Sequence, residues 1–328
     1  MLNNLVNRHD MVRVRTKLVN RDVPSLLRKL RGSASDRVVR QWSDVSPDAC
    51  QWWSIPAVRR RWNHLVTGSE HVDFPAYVTE RHLGGGSSRS ALSLGCGLGG
   101  RELRWAELGA FGHIDAFDIS AVQVEEAKRR AELTGQGERI TFSVADFTTL
   151  AHECRFDVVI AEHSLHHLAP MPEVVAKVWE LLVPGGLFVV DEYVGPQRFQ
   201  WTETQLDAAQ ELLERFPARY RRTLDGGAKA SVVRPSKLWM RLTDPSEAID
   251  SARIGQSLHQ CFDVIEDRPY GGAVLHLALA DIAHNFLDST EETAQVLRDA
   301  FEFEDRLMVA GAVGSDFAAY VCRKPVAA

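Results

Sequence analysis

Cysteine is scarce in this sequence, and the few cysteines lack the spacing of a metal ribbon or a redox motif. The 328 residues include 5 cysteines, at positions 50, 96, 154, 261 and 322, without any Cys-x-x-Cys. We therefore expect neither a disulfide framework nor a zinc ribbon, and we predict a reducing, cytoplasmic location. Long apolar runs are missing too, since no stretch approaches the ~18 residues of a membrane span and the N-terminus lacks the apolar core of a secretory signal.

An excess of positive charge is also lacking, since 38 Lys and Arg stand against 44 Asp and Glu. The formal net charge is -6, which argues against general affinity for nucleic acid. Residues 1–40 are the exception, with 10 Lys or Arg against 3 Asp. This basic segment is predicted to be either the solvated face of a helix or an arm for a phosphorylated or nucleic-acid partner, and an organellar transit peptide is a third alternative.

The most informative pattern that is present is a short apolar strand followed by clustered glycines. A predicted strand at 91–94 leads into Gly95-x-Gly97-x-x-Gly100, just before a predicted helix. Glycine allows a sharp turn and a close ligand, and the free N–H groups of a helix start favour an anionic group. Asp118 ends the next apolar segment about 20 residues later, where an acid can accept hydrogen bonds from ribose hydroxyls. The two features predict an adenosine-containing cofactor.

Three further predicted strands, at 140–145, 156–161 and 187–190, continue this pattern. The first of them ends in Asp146 and Phe147, a carboxylate and a ring suited to the amino group and the face of adenine. The second leads directly into a polar segment that starts at Glu162 and contains three histidines. With these elements the sequence resembles the class I S-adenosylmethionine-dependent methyltransferases, closely over about residues 88–195.

The resemblance implies where the cofactor binds. In that family the glycine loop holds the methionine half, the acid after the second strand holds the ribose, and the acid after the third strand contacts the adenine amine. The implied cofactor-binding residues here are Gly95, Cys96, Gly97, Asp118, Ile119, Asp146, Phe147 and Glu162. Family members usually carry an acid two residues before the first glycine, where this sequence has Ser93. Glu102 or Glu162 is expected to replace that acid at the methionine ammonium.

Candidate catalytic residues follow the fourth and fifth strands, because the sites of open α/β sheets lie outside the carboxyl ends of their strands. His166, His167 and Glu192 are predicted to be catalytic, with a histidine or Glu192 acting as general base if the acceptor is a hydroxyl. Two alternatives remain for the histidines, as pocket wall or as metal ligands. No His-Glu-x-x-His motif occurs, and no metal is expected.

Alternation of strands with amphipathic helices predicts an α/β fold with parallel strand pairing. We expect a doubly wound, seven-stranded, mostly parallel sheet with an N-terminal helical region and a helical cap inserted between strands five and six. Strand six is predicted at 273–278, strand seven at 317–322, and a helix of the cap at 244–260. The predicted domains are an N-terminal helical, basic and tryptophan-rich region at 1–85, a Rossmann-like cofactor-binding core at 86–195, a helical cap at 196–260, and C-terminal strands with a helix at 261–328.

The predicted function is S-adenosylmethionine-dependent methylation of an oxygen or nitrogen atom. The expected partner is a small-molecule or saccharide acceptor, with no membrane or nucleic-acid partner. Two alternatives stay open. One is a protein of the methyltransferase fold with a non-methylating role. The other is an NAD-dependent oxidoreductase, because the glycine spacing also matches the dinucleotide fingerprint.

Overall fold

The sheet of this protein has seven strands in the order β3-β2-β1-β4-β5-β7-β6. The computed structural model describes residues 50–84, 88–150 and 156–326, together with Val38. The basic segment, apart from Val38, lies outside the described residues, as does Trp42. The strands are β1 (Ser90–Leu94), β2 (His113–Asp118), β3 (Ile140–Val144), β4 (Phe156–Glu162), β5 (Leu182–Tyr193), β6 (Asp263–Pro269) and β7 (Phe317–Arg323).

The helices lie mainly between consecutive strands. They are α1 (Pro56–Thr67), α2 (Phe74–Val78), α3 (Gly100–Glu107), α4 (Ala121–Leu133), α5 (Met171–Leu181), α6 (Glu203–Arg215), α7 (Lys237–Thr243), α8 (Ile254–Cys261), α9 (Leu275–Leu279) and α10 (Glu291–Val309). None of the helices within the described residues combines the length and the apolar character that crossing a membrane requires.

Strands β1 to β5 pair in parallel, whereas β7 runs antiparallel to both β5 and β6. Alternate residues of the strands enter two hydrophobic cores, one on each face of the sheet. On β4, for example, Val158 and Ile160 belong to one core and Val159 and Ala161 to the other. A sheet buried on both faces, with helices covering each, is the doubly wound architecture. The predicted fold class is confirmed.

Three helices begin at residues that favour a helix start. Pro56 begins α1, where proline loses no helical hydrogen bond. The side chain of Ser120 accepts a hydrogen bond from the backbone N–H of Gln123 and caps α4. Thr202 and Gln205 form a reciprocal capping box at the start of α6.

The prediction of strand six was wrong. Residues 273–278 do not form a strand; most of them lie in α9, whose first N–H groups are capped by Glu304, because its Oε1 accepts from Val274 N at 2.9 Å and Leu275 N at 3.0 Å. A largely buried, mostly apolar run fits a helix as well as a strand. Strand six is the polar segment β6, at the edge of the sheet, where side chains are largely exposed and hydrophobic alternation is weak.

The predicted cap helix also begins later than expected. Residues 245–248 form turns, and α8 runs from Ile254, after a short 3-10 turn at Ser251–Arg253. Asp244 accepts from the backbone N–H and the hydroxyl of Ser246, a local turn that competes with a helix start. Helices α6, α7 and α8 all lie between β5 and β6.

Candidate functional site

The glycine loop connects β1 to α3 at the carboxyl edge of the sheet. Gly95 has φ +70°, and a Cβ on it would lie 2.8 Å from Cβ of Ser164, so only glycine fits between the loop and the end of β4. Gly99, at φ +77°, packs as closely against Ala127 of α4, whereas Gly100 has open space around it. The glycine that allows close helix packing is therefore Gly99, one residue before the Gly100 of the motif. Cys96 is buried and its N–H donates to Phe117 O.

Asp118 lies at the end of β2, directly beside this loop. Its Oδ2 accepts from Gly97 N at 3.0 Å and its Oδ1 accepts from Ser120 N at 2.8 Å. Each carboxylate oxygen can accept a further hydrogen bond. Asp118 thus shapes the glycine loop and keeps acceptor capacity for two ligand hydroxyls. Ile119 follows it and is half-buried.

Asp146 and Phe147 both follow β3, but their side chains lie in different environments. Asp146 is exposed, and its Oδ1 accepts from the N–H and the hydroxyl of Thr148, both at 2.8 Å. Phe147 is buried in the core, stacked 6.4 Å from the ring of Phe117, with Lys177 Nζ 5.0 Å from its centroid. Asp146 can reach a ligand at the surface. Only 4% of the Phe147 surface is exposed, and its contact with adenine stays a prediction.

Two buried carboxyl groups flank the start of the loop. Ser93 donates to Oε1 of Glu102 at 2.6 Å, and burial raises the pKa of Glu102. Burial also raises the pKa of Glu162 to about 7, against the opposing effect of Arg101, whose Nη1 is 3.6 Å from Glu162 Oε2. The Oε2 atoms of both glutamates are buried without a hydrogen-bond partner among the described residues. Such atoms are expected to meet a ligand or water.

Glu192 and His166 form the most tightly bonded pair of the site. Glu192 is fully buried, and its Oε2 accepts from Leu165 N while its Oε1 accepts from Tyr193 N, each at 2.7 Å. Oε1 also accepts from His166 Nδ1 in a short hydrogen bond. Burial alone would lower the pKa of His166, but Glu192 beside it raises the pKa to about 9.

His167 lies beside His166 yet differs from it. The two rings are 4.0 Å apart between centroids. Nδ1 of His167 is 3.3 Å from Ser246 Oγ, and burial keeps the pKa of His167 well below its usual value. His167 is therefore neutral at physiological pH. His166, in contrast, is protonated on both ring nitrogens and positively charged in the ligand-free protein. The sequence alone gave the same prediction for both histidines.

Glu247 belongs to the same group, and the sequence analysis missed it. Its Oε1 is 3.5 Å from His166 Nε2, and burial raises the pKa of Glu247 to about 7. Ile249 N donates to His166 O at 3.0 Å. This bond holds the loop that precedes α8, here called the cap loop, against the segment after β4. Glu247 stands in a turn far from His166 in sequence, and no local motif marks it.

Aromatic side chains of α1 and the residues before it cover the end of β4. Trp53 stacks on His163 with 6.0 Å between centroids, and Trp62 of α1 lies 6.5 Å from the same ring. His163 has φ 56°, which is unusual for a residue with a side chain and frequent at functional sites. Nearby, Tyr270 donates to Asp191 Oδ1 at 2.5 Å. The tryptophan-rich segment thus borders the site.

Comparisons with known proteins agree on a family for the central region. Residues 91–186 match the family model described as a methyltransferase domain. A demethylmenaquinone methyltransferase of Leptospira interrogans is 29% identical over 140 residues, 42% of this chain and 51% of that protein. A 27-O-demethylrifamycin SV methyltransferase of Amycolatopsis mediterranei is 33% identical over 104 residues, 31% of this chain and 38% of that protein. The chain thus spans about half the length, or less, of these curated relatives.

Among solved structures, the [4+2]-cyclase SpnF aligns with a TM-score of 0.47 and 18% identity, over 85% of this chain and 98% of that one.

The sheet order also separates the two cofactor classes that share the glycine pattern. A doubly wound dinucleotide-binding sheet continues with a second parallel half, in the order 3-2-1-4-5-6. Here β7 inserts antiparallel between β5 and β6. The NAD-dependent oxidoreductase is therefore not supported. Residues 91–186 are a methyltransferase domain of the class I, S-adenosylmethionine-dependent kind, and the cofactor of such a domain is S-adenosylmethionine.

Proposed function

We propose that this protein transfers a methyl group from S-adenosylmethionine to a hydroxyl oxygen of a small molecule or saccharide. The observation that carries the proposal is the buried pair of His166 and Glu192 at the carboxyl end of β4 and β5. An acceptor that must lose a proton needs a positioned base, whereas a neutral amine does not. Two relatives are named as methyltransferases of demethylmenaquinone and of 27-O-demethylrifamycin SV, and these names support a small-molecule acceptor.

Cofactor binding is proposed to use the residues around the glycine loop. S-adenosylmethionine, when bound, supplies a methyl group on a positively charged sulfur. Asp118 accepts the ribose hydroxyls, and Asp146 contacts the adenine amine. Glu162 and Glu102 offer buried carboxyl oxygens for the methionine ammonium, next to the position where the chain has Ser93. Gly95, Cys96 and Gly97 provide the main-chain surface.

His166 is proposed to accept the acceptor's proton at Nε2. Glu192 is a carboxylate that only accepts hydrogen bonds, so Nδ1 of His166 carries the hydrogen and Nε2 is the proton-accepting atom. Positive charge on a cofactor nearby lowers the pKa of His166 and thereby favours the neutral ring that a base requires. Glu192 holds the tautomer and stabilises the imidazolium that forms. His167 packs against the base and is proposed to orient it.

The cap is proposed to select the acceptor. Glu247 and Ser246 reach His166 and His167 from the loop that precedes α8. Residues 196–260 therefore contribute polar groups next to the proposed base. The proposed cofactor residues all lie outside this range, around the ends of β1, β2 and β3, in α3 (Glu102) and at the end of β4 (Glu162). Changes in the cap loop should alter acceptor preference more than cofactor affinity.

The test uses S-adenosylmethionine with a radiolabelled methyl group and a panel of hydroxylated acceptors, including 27-O-demethylrifamycin SV and simple saccharides. With an acceptor that the wild type methylates, His166→Ala should lower kcat by roughly 10²–10⁴-fold. Affinity for S-adenosylhomocysteine, measured by calorimetry, should stay within about threefold, since His166 is proposed to contact the acceptor rather than the cofactor. His259→Ala, an exposed histidine of α8, is the matched control. Near wild-type transfer by His166→Ala would remove the proposed base.

A further inference from the structure

We propose that His166, His167 and Glu247 form a binding site for a divalent transition-metal ion. One ligand atom from each residue lies within 4.8 Å of the others. The three residues come from two separate segments, the turn after β4 and the cap loop before α8. The inference is independent of methyl transfer, because an ion can bind here whether or not the protein has that activity.

The first imidazole is held in the tautomer that a metal requires. The carboxylate of Glu192 accepts the Nδ1 hydrogen of His166, so a metal ion that displaces the second ring proton binds at Nε2. Nε2 lies 3.5 Å from Oε1 of Glu247. Two ligands of a tetrahedral zinc ion, each about 2.0–2.1 Å from the metal, are roughly 3.3–3.4 Å apart. The separation of these two atoms therefore already matches neighbouring metal ligands.

The second imidazole is oriented by a parallel chain of hydrogen bonds. The hydroxyl of Ser246 donates to Asp244 Oδ1 at 2.6 Å, so its oxygen accepts from Nδ1 of His167 at 3.3 Å. The unprotonated nitrogen of His167 is then Nε2. Both histidines thus have a carboxylate behind Nδ1, directly or through a hydroxyl, and offer Nε2. Metal-binding histidines in proteins are typically anchored in this way.

The donor set defines the class of ion. Two imidazole nitrogens and one carboxylate oxygen suit Zn²⁺ in an open site, and also Fe²⁺, Mn²⁺ or Co²⁺, rather than the all-oxygen shells preferred by Mg²⁺ or Ca²⁺. An ion at His166 Nε2 uses the lone pair that the proposed function assigns to proton acceptance. The ion-bound and ion-free proteins therefore differ in how an acceptor hydroxyl is activated, because a bound ion acidifies a coordinated oxygen itself.

The experiment titrates chelator-treated protein with Co²⁺ and with Zn²⁺. The wild type should bind one equivalent of Co²⁺ and show the visible absorption bands of Co²⁺ with a low coordination number. Zn²⁺ should displace the bound Co²⁺. His167→Ala and Glu247→Gln should each weaken binding at least 100-fold, and Glu192→Gln should weaken it roughly 10–100-fold by releasing the anchor of His166. His259→Ala, which removes an exposed histidine paired with Asp267, should bind like the wild type.

Three outcomes would overturn the proposal. They are the absence of saturable Co²⁺ or Zn²⁺ binding by the wild type, equal metal affinity in all variants, or a loss of metal affinity in His259→Ala. The near-isosteric Glu247→Gln keeps the test valid if His167→Ala fails to fold, as judged by circular dichroism. Calorimetry with S-adenosylhomocysteine on the same chelator-treated samples is a separate readout, so a failed metal site and a failed cofactor site give different results.

Discussion

Replacing Asp316 by Asn should stabilise the protein at alkaline pH and leave its stability at acidic pH nearly unchanged. Asp316 precedes β7 and is buried, with 4% of its surface exposed. Gln205 of α6 donates from Nε2 to both carboxyl oxygens, at 3.1 and 3.2 Å. Burial raises the pKa of Asp316 to about 7, although the hydrogen bond from Gln205 acts in the opposite direction.

The sign and size follow from proton linkage. In the unfolded chain an aspartate has a pKa near ~3.9, so between about pH 4 and 7 the folded protein retains a proton that the unfolded chain has lost. Stability therefore falls as pH rises through this window. Three pKa units at about 1.4 kcal/mol each give a loss of about 4 kcal/mol for the wild type. Asn has no proton to lose and can still accept from Gln205.

Urea unfolding at pH 4 and pH 8.5 provides the measurement. The free energy of unfolding of Asp316→Asn should exceed that of the wild type at pH 8.5 by about 4 kcal/mol, and the difference should shrink to within about 1 kcal/mol at pH 4. The control is Asp299→Asn, since Asp299 also accepts from a glutamine amide, that of Gln295, but at an exposed position. A difference that is equal at both pH values would refute the reasoning.

Two further predictions concern the cofactor loop. Asp118→Asn should weaken S-adenosylhomocysteine binding by about 2 kcal/mol, or roughly 30-fold in Kd, because hydrogen bonds to a charged group are lost; calorimetry checks this, with Asp115→Asn on the same strand as control. Gly95→Ala should abolish detectable cofactor binding and lower the thermal midpoint, because its Cβ would lie 2.8 Å from Ser164 Cβ. Gly109→Ala is its control, since Gly109 has a similar φ of +63° and open space; equal effects of the two substitutions would show that backbone strain, not the contact, is responsible.

The first five strands could be predicted because each combines an apolar run with a turn signal. Glycines after β1 and acids after β2 and β3 mark where the strands end, and the structure has strands at all of these places. β6 could not be found this way, because an edge strand with exposed side chains carries little hydrophobic signal. The run at 273–278 was misassigned because an almost continuous apolar run has no periodicity that separates a buried strand from a buried helix.

The candidate site was predictable only in part. His166 follows β4 and Glu192 lies near the end of β5, so parallel pairing of these two strands brings them to one edge of the sheet. The bond between them, and the different surroundings of His167, depend on side-chain positions that sequence spacing does not encode. The contacts of Glu247 and Ser246 with the two histidines depend on how the cap loop folds back against the segment after β4. The expectation of no metal rested on the lack of a local motif, and the proposed ligands lie on separate segments.

The central claim is that the loops after β1, β2 and β3 bind S-adenosylmethionine. Titration calorimetry of the wild-type protein with S-adenosylhomocysteine and, separately, with NAD⁺ tests it most directly. We predict one equivalent of bound S-adenosylhomocysteine with a Kd in the range of about 1–100 µM, corresponding to roughly 5–8 kcal/mol, and no detectable heat with NAD⁺. Saturable binding of NAD⁺ together with no binding of S-adenosylhomocysteine would contradict the account.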